Sequence, residues 1–330
     1  MEKITGEWKF GEVLNLPELK EVKPYLLYFG ENEMPPYVAE TAIKDVDKIG
    51  WSSKGIVRGC NFLLEQLAKE GEIRFAYTAE ECTEDARKKD VNIMRFVPEK
   101  TDENKPYIIL IAGGGMTCVC TLAESIPTAR HFVEAGYQVF TITYRVGRPG
   151  VKKLSMDDLA ACVKYIRNHA EEFQVNPDNY AIGGFSAGSG LAALWGSKEM
   201  GYAKYGEAKP QVIFPVYGVS NLKNLYGEDA KEGYMNLILG EDQSEENFRR
   251  FNVIDQVNAE YPPCYVVCGK DDVTVPPTNS EELYNQLNKY EIPAKLEKAD
   301  GAAHGFGDGE GTGAEGWPER AIAFMESVRN

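Results

Sequence analysis

Apolar runs and amphipathic segments alternate along the chain from about residue 73 to its end. Short apolar runs bounded by turn residues predict strands buried on both faces, and they cover residues 106–112, 137–144, 179–183, 211–215 and 264–268. The clearest helical pattern between them covers residues 155–173, where Ser155 and Asp158 have the spacing of a capping box. This alternation predicts an α/β fold with a mostly parallel central sheet and helices on both faces.

The beginning of the chain does not follow this alternation. Residues 55–70 place apolar side chains on one helical face, and Ser52 or Ser53 is positioned to cap that helix. We therefore predict an N-terminal helical extension over residues 1–70. It is expected to pack on the core of a main domain that spans residues 71–330.

Two further stretches depart from a regular strand–helix alternation. Residues 73–78 and 91–97 are strand patterns separated by a solvated charged segment, and they predict an antiparallel opening of the sheet. Residues 220–258 are polar with scattered aromatic and aliphatic side chains, and they interrupt the alternation after the strand pattern at 211–215. They are interpreted either as a small lid over a binding pocket or as a surface excursion, and the sequence does not separate the two.

Residues 184–188, with the sequence Gly-Phe-Ser-Ala-Gly, join the strand pattern at 179–183 to a helical pattern. A turn this tight strains the backbone of Ser186 and exposes its hydroxyl, and a side chain on either glycine would collide with a neighbouring element. This arrangement is typical of a nucleophilic serine. Residues 188–193 also fit a degenerate dinucleotide-binding pattern, but it starts inside the predicted helix, where its glycines would not approach a pyrophosphate.

A serine hydroxyl becomes an effective nucleophile when a base takes its proton, and histidine is the usual base. The chain has three histidines. His131 and His169 fall within helical patterns and are interpreted as surface or packing residues. His304 lies in a glycine-rich loop after the strand pattern at 294–298, and it follows Ser186 in chain order, as expected for a base beyond the last strand.

The acid that orients the histidine is expected after a strand, between the serine and the histidine in sequence. The strand pattern at 264–268 is followed by Gly269, Lys270 and two adjacent aspartates, Asp271 and Asp272. One of these aspartates is the candidate acid, and the residues alone leave the choice open.

Backbone N–H groups that stabilise an oxyanion are expected from the residue after the nucleophile and from a glycine-rich loop after an earlier strand. Ala187 supplies the first of these groups. The strand pattern at 106–112 runs into three glycines, of which Gly114 and Gly115 are the candidate donors. Neither Gly-Lys-Ser nor Gly-Lys-Thr follows, so the glycines do not predict a phosphate-binding loop.

Composition narrows the partners and the compartment. A net charge of −15 and a pI near 4.9 argue against binding to nucleic acid or to an anionic membrane. No run has membrane-spanning length and the N-terminus has no apolar signal region, so we expect a cytoplasmic protein unless a leader has been removed. Seven cysteines without a disulfide pattern agree with that expectation. The pair Cys118 and Cys120 lacks a second ligand pair, and the acidic loop 307–313 lacks EF-hand spacing, so we predict no metal site.

From about residue 73 onward the chain resembles α/β-hydrolases of the acetyl-xylan-esterase-like and feruloyl-esterase-like group, which includes short-chain acetyl esterases. The matching motifs lie at residues 112–115, 144–147, 184–188, 269–276 and 304–306. In that family the acid is the aspartate three residues after the glycine, so the resemblance selects Asp272. Hormone-sensitive-lipase relatives carry a histidine before the three glycines, where this chain has Ala112.

The resemblance implies a serine carboxylester hydrolase with an α/β-hydrolase fold, working through an acyl-enzyme without a metal or an organic cofactor. The implied site residues are Ser186, Asp272 and His304 as the triad and Ala187, Gly114 and Gly115 as the oxyanion hole. The implied substrate is a short-chain, acetyl-type ester of a small molecule or a carbohydrate. Two alternatives are an amidase, peptidase or arylformamidase on the same triad, and a non-catalytic binding protein, against which the intact triad argues. The sequence leaves open the acyl length, the alcohol, the role of residues 1–70 and whether the chain forms a homo-oligomer.

Overall fold

An eight-stranded sheet forms the centre of the computed structural model, which describes residues 3–329. The strands in chain order are β1 Glu72–Phe75, β2 Asn92–Phe96, β3 Tyr107–Ile111, β4 Val139–Thr143, β5 Tyr180–Phe185, β6 Ile213–Val216, β7 Cys264–Gly269 and β8 Ala294–Ala299. Their spatial order is β1-β2-β4-β3-β5-β6-β7-β8. β2 pairs antiparallel with both β1 and β4, and the other neighbouring strands are parallel. The predicted antiparallel opening and the mostly parallel sheet are therefore confirmed.

Helices cover both faces of the sheet. The α-helices of residues 3–329 are α1 Phe10–Leu14, α2 Lys23–Leu26, α3 Pro36–Glu40, α4 Ser53–Leu67, α5 Ser125–Glu134, α6 Val151–Asn168, α7 Ala170–Phe173, α8 Ala187–Trp195, α9 Glu228–Leu239, α10 Glu245–Phe251, α11 Val253–Gln256, α12 Thr278–Lys289 and α13 Trp317–Val328. Ile109 and Ile111 of β3 join the core formed with α6 and α8, whereas Ile108 and Leu110 join the core formed with α4, α5 and α13. All of β3 is buried, which explains its continuous apolar run in the sequence.

The predicted capping box at Ser155 and Asp158 is wrong. Helix α6 begins earlier, at Val151, and both side chains are buried within the helix. Asp158 forms an ion pair with Arg145 at 2.7 Å, and the Ser155 hydroxyl donates to the Arg145 carbonyl at 2.8 Å. A capping box satisfies N–H groups at a helix end, whereas here a tertiary partner from the loop after β4 uses both side chains. The helix also stops at Asn168 instead of continuing through α7.

The N-terminal segment, residues 3–67, packs on one face of the sheet through α4. Ser52 is the N-cap residue of α4, because its Oγ accepts from the Gly55 N–H at 2.9 Å. Ile56 and Leu63 of α4 are buried in the core that α5 shares with the sheet. This segment therefore has its apolar face in a common core with the strands, while the predicted domain boundary stays a prediction.

The insertion after β6 is helical. Residues 220–258 contain α9, α10 and α11, and α9 packs against α6. Ile238 and Phe248 are buried and anchor the insertion to the core. Tyr226, which is 49% exposed, brings its hydroxyl 3.5 Å from the Asp272 carbonyl oxygen, so one end of the insertion lies beside the predicted acid. Its interpretation as a lid or as a surface excursion stays a prediction.

Candidate active site

Ser186 lies at the turn between β5 and α8, at the carboxyl end of a parallel strand. Its backbone has φ 50° and ψ −119°, outside the common regions for a residue with a Cβ. A Cβ on Gly184 would lie 2.3 Å from the Gly188 carbonyl oxygen, and one on Gly188 would lie 2.3 Å from the Ile111 carbonyl oxygen. Backbone packing therefore requires both flanking glycines, as the sequence predicted.

The structure brings the three predicted triad side chains together. His304 Nε2 lies 2.9 Å from Ser186 Oγ, and His304 Nδ1 lies 2.7 Å from Asp272 Oδ2. An ionised carboxylate only accepts hydrogen bonds, so Nδ1 carries the proton in this tautomer and Nε2 accepts from the serine hydroxyl. The arrangement can therefore move a proton from the serine to the imidazole.

The Asp272 carboxylate is held by more than the histidine. Its side chain is 1% exposed, and its Oδ1 accepts from the N–H groups of Thr274 and Val275, each at 2.8 Å. These bonds compensate the burial of a charged group and fix its orientation. The neighbouring Asp271 is exposed, so the structure selects Asp272 as the carboxylate that contacts His304.

The other two histidines lie in helical surroundings away from Ser186. His131 is in α5, where its ring nitrogens contact Asp308 at 3.2 Å and Glu319 at 2.5 Å. His169 follows α6, and its Nδ1 lies 2.8 Å from the Tyr165 carbonyl oxygen. Their predicted packing roles agree with these contacts.

The glycine loop, residues 113–115, follows β3 and passes close to the serine. A Cβ on Gly113 would lie 2.7 Å from the Cβ of Ser186. The backbone has φ 131° at Gly114 and φ 61° at Gly115, conformations that glycine adopts without steric cost. Within residues 3–329 no acceptor receives the N–H groups of Gly114, Gly115 or Ala187. These three predicted donors are thus available to a ligand, and Ala187 adds the free N–H of a helix start.

Sequence analysis missed two buried polar residues beside this site, Glu124 and Tyr217. Glu124 Oε2 accepts from the Gly113 N–H at 2.5 Å, and Glu124 Oε1 accepts from the Tyr217 hydroxyl at 3.0 Å. Burial raises the pKa of Glu124 to about 7, although bonds from Gly113 and Tyr217 and the charge of His304 act in the opposite direction. Neither residue belongs to a motif, and the single available signal is a charged residue placed just before α5.

Sequence analysis also predicted that the chain has no metal site and no membrane span. Cys118 and Cys120 follow the glycine loop with their Sγ atoms 3.7 Å apart, and both are free thiols. Residues 3–329 hold no cluster of three or more His, Cys, Asp or Glu side chains suited to a metal ion. Over the same range, no helix is both long enough and apolar enough to cross a membrane.

The tight turn of residues 184–188 between β5 and α8 is a nucleophile elbow. The sheet order, this elbow and the site geometry define an α/β-hydrolase fold, and solved structures agree. The acetyl ester-xyloside bifunctional hydrolase from Caldicellulosiruptor lactoaceticus superposes with a TM-score of 0.62 at 22% identity, over 72% of this chain and 88% of that chain. A lipase/esterase from Lactobacillus plantarum superposes with a TM-score of 0.61 at 20% identity, over 78% and 98%. At these identities the similarity establishes the fold.

The chain belongs to the BD-FAE family, because the family model matches residues 94–287, more than half of its length. The matched region includes the glycine loop, Ser186 and Asp272, and it ends before His304. This match confirms the resemblance that the motifs predicted.

Curated relatives match at lower coverage. The chain is 24% identical over 237 residues to endo-1,4-beta-xylanase B of Butyrivibrio fibrisolvens, and this alignment covers 69% of this chain and 37% of that protein. It is 25% identical over 222 residues to an acetylxylan esterase of Xylanibacter ruminicola, which covers 65% and 43%. It is 27% identical over 197 residues to a probable carboxylic ester hydrolase of Mycobacterium tuberculosis, which covers 56% and 45%. The chain thus spans less than half the length of each of these relatives.

Proposed function

We propose that the protein is a serine carboxylester hydrolase that acts through an acyl-enzyme. The observation that carries this proposal is the line of hydrogen bonds from Ser186 Oγ to His304 at 2.9 Å and from His304 to Asp272 at 2.7 Å. Ser186 attacks the ester carbonyl carbon while His304 Nε2 takes the hydroxyl proton. Asp272 keeps the imidazole in the required tautomer and stabilises the imidazolium that forms.

The carbonyl oxygen becomes negative in this step. The N–H groups of Ala187, Gly114 and Gly115 are the proposed donors to that oxyanion, because no protein acceptor within residues 3–329 uses them. The bond to the alcohol then breaks, and the imidazolium protonates the leaving oxygen. A water molecule, deprotonated by the same imidazole, attacks the acyl-enzyme and releases the carboxylic acid. None of these steps needs a metal or an organic cofactor.

We propose a short acyl group, acetyl first, esterified to a carbohydrate as the substrate class. Support comes from the names of the relatives, which include an acetylxylan esterase and a xylanase, and from a structural neighbour described as an acetyl ester-xyloside hydrolase. The chain spans less than half the length of those curated relatives, so the substrate class is tested on this chain itself.

The test is hydrolysis of p-nitrophenyl acetate, butyrate and octanoate by the wild type, S186A and S197A. Loss of the triad serine is expected to lower turnover on the order of 10⁴- to 10⁶-fold. Ser197 is the control, because it is a serine that follows the other end of α8 and has no contact with His304. Equal background rates for the wild type and S186A would reject the esterase proposal.

The same proteins are then compared on acetylated xylo-oligosaccharides and on p-nitroacetanilide. The carbohydrate acetyl-ester proposal expects release of acetate from the oligosaccharide and much slower cleavage of the anilide. Faster cleavage of the anilide than of the matched ester would instead assign an amidase.

A further inference from the structure

We infer that Glu124 is a positioning residue that holds two loops in their reactive arrangement: the glycine loop and the loop of residues 300–316, called the His304 loop. The inference rests on the proposed function and extends it to a side chain that contacts neither the ester nor the serine hydroxyl. Three sets of contacts carry it: those to the glycine loop, those to the His304 loop, and the charged surroundings of the carboxyl group.

The first set of contacts joins Glu124 to the glycine loop. Its Oε2 accepts from the Gly113 N–H at 2.5 Å, so this N–H is bound inside the protein. A Cβ on Gly113 would lie 2.7 Å from the Cβ of Ser186 and 3.2 Å from Glu124 Oε2, so the carboxylate and the serine flank the same peptide. Anchoring this peptide fixes the direction of the next two N–H groups, Gly114 and Gly115, which are the proposed oxyanion donors.

The second set of contacts joins Glu124 to the His304 loop through Tyr217. The Tyr217 hydroxyl donates to Glu124 Oε1 at 3.0 Å and accepts from the Gly307 N–H at 3.1 Å. The Tyr217 ring also packs edge-on against the His304 ring, with centroids 5.0 Å apart. Tyr217 itself has φ 37°, a value that the surrounding structure must impose on a residue with a Cβ. One buried carboxyl group therefore connects the two loops that meet at Ser186.

The charged surroundings make this carboxyl group responsive to the site. Glu124 is 4% exposed, and within residues 3–329 no lysine or arginine forms an ion pair with it. The titratable groups that face it from neighbouring elements are Tyr217, His304, Tyr144, Cys118 and Cys120. Burial raises the pKa of Glu124 to about 7, so its charge changes near neutral pH. An ionised Glu124 attracts the imidazolium of His304 and repels an oxyanion, which couples its protonation to both steps of catalysis.

The experiment separates the charge of Glu124 from its hydrogen bonds. E124Q keeps a hydrogen bond to each partner, because the amide oxygen can accept from the Gly113 N–H while the amide nitrogen donates to the Tyr217 oxygen. The bond to Tyr217 then runs in the opposite direction, and the Tyr217 hydroxyl proton loses its acceptor. E124A removes both bonds, and Y217F removes the connection to the His304 loop alone. E207Q is the control, because Glu207 is another buried glutamate, paired with Arg167 at 3.0 Å, without a contact to either loop.

We expect E124A to lower kcat for p-nitrophenyl acetate by about 10²-fold with KM nearly unchanged, because misplaced catalytic groups affect the transition state more than binding. Y217F is expected to show a smaller loss of kcat. E124Q is expected to restore most of the activity that E124A loses. Its kcat/KM profile is expected to have an acid limb shifted to lower pH, because a negative charge beside the imidazolium has been removed. E207Q is expected to match the wild type in all these measurements.

The outcomes distinguish a failure of this inference from a failure of the proposed function. Wild-type kcat and an unshifted pH profile in E124Q, E124A and Y217F would overturn the inference while leaving the esterase proposal standing. A wild type that neither hydrolyses the esters nor reacts with a fluorophosphonate at Ser186 would overturn both. Thermal unfolding of each variant is measured alongside. If E124A does not fold, the pH profile of E124Q and the kcat of Y217F decide the question.

Discussion

The nucleophile and the base reach the same site by different physical routes. Ser186 is placed by five consecutive residues, because steric conflicts at Gly184 and Gly188 define the turn between β5 and α8. His304 lies in a long loop, residues 300–316, which contains neither helix nor strand. Its position is set by residues far away in sequence. The short motif at residues 184–188 is therefore enough to place the nucleophile, whereas long-range packing places the base.

Several contacts that hold the His304 loop come from the N-terminal segment and from α5. The Ser52 hydroxyl donates to the Glu310 carbonyl at 2.5 Å, and Arg58 forms an ion pair with the Glu310 carboxylate. His131 of α5 contacts Asp308 at 3.2 Å. Substitutions in these distant elements are therefore expected to change the placement of the base more than that of the nucleophile.

The largest effect is expected from the acid that orients the base. Asp272→Asn is predicted to lower kcat for p-nitrophenyl acetate by about 10⁴-fold, because an amide cannot stabilise the imidazolium and favours the wrong tautomer. Asp271→Asn is the matched control, since Asp271 is exposed and lies next in the chain. Steady-state kinetics of the two variants check the prediction, and a greater loss in the Asp271 variant would contradict it.

The elbow is tested by adding one methyl group. Gly188→Ala is predicted to lower kcat by at least about 10²-fold, because its Cβ would lie 2.3 Å from the Ile111 carbonyl oxygen and the start of α8 must shift. Gly233→Ala is the control, because a Cβ there meets nothing within 4 Å in helix α9. That control is expected to keep full activity and to gain up to about 1 kcal/mol of unfolding free energy. A Gly188 variant with wild-type kinetics would show that the turn tolerates rearrangement.

A smaller effect is expected from the start of α4. Ser52→Ala and Ser53→Ala are each predicted to lower the free energy of unfolding by about 1 kcal/mol, because each removes local hydrogen bonds. Only Ser52 also donates to the Glu310 carbonyl, so only Ser52→Ala is expected to lower kcat by a few-fold. Urea unfolding and ester hydrolysis measure the two properties. Equal kcat values in both variants would show that the contact between Ser52 and Glu310 does not help to place His304.

The smallest expected effect concerns the pH dependence of stability at His131. Burial acts to lower the pKa of His131, but hydrogen bonds and charges from Asp308 and Glu319 outweigh it and raise the pKa. A raised folded-state pKa gives stability that is complete below the unfolded value of about 6.5 and is lost as pH rises through the folded value. The difference in unfolding free energy between the wild type and His131→Gln is therefore expected to shrink as pH rises above about 6.5. Urea unfolding at several pH values measures it, and a difference that grows with pH would contradict the assignment.

Several features of the fold were predictable because they produce a pattern in residues that are close along the chain. The buried strands appear as continuous apolar runs, since helices cover both faces of the sheet. The capping box failed at Ser155 and Asp158 because residue spacing does not reveal a tertiary partner such as Arg145. The same limit explains why Glu124 was missed, since its partners Gly113 and Tyr217 are brought together only by the sheet.

The sequence by itself determined the order of strands and helices, the elbow at Ser186 and the need for glycine on either side of it. These features follow from apolar periodicity and from steric exclusion between atoms that are close along the chain. The residues alone left Asp271 and Asp272 open; the family resemblance selected Asp272, and the contact with His304 agrees with it. Only the tertiary structure decided that the N-terminal segment supports the His304 loop and that Glu124 joins that loop to the glycine loop. Those outcomes depend on hydrogen bonds and burial between distant segments, whose free energies exist only once the chain has folded.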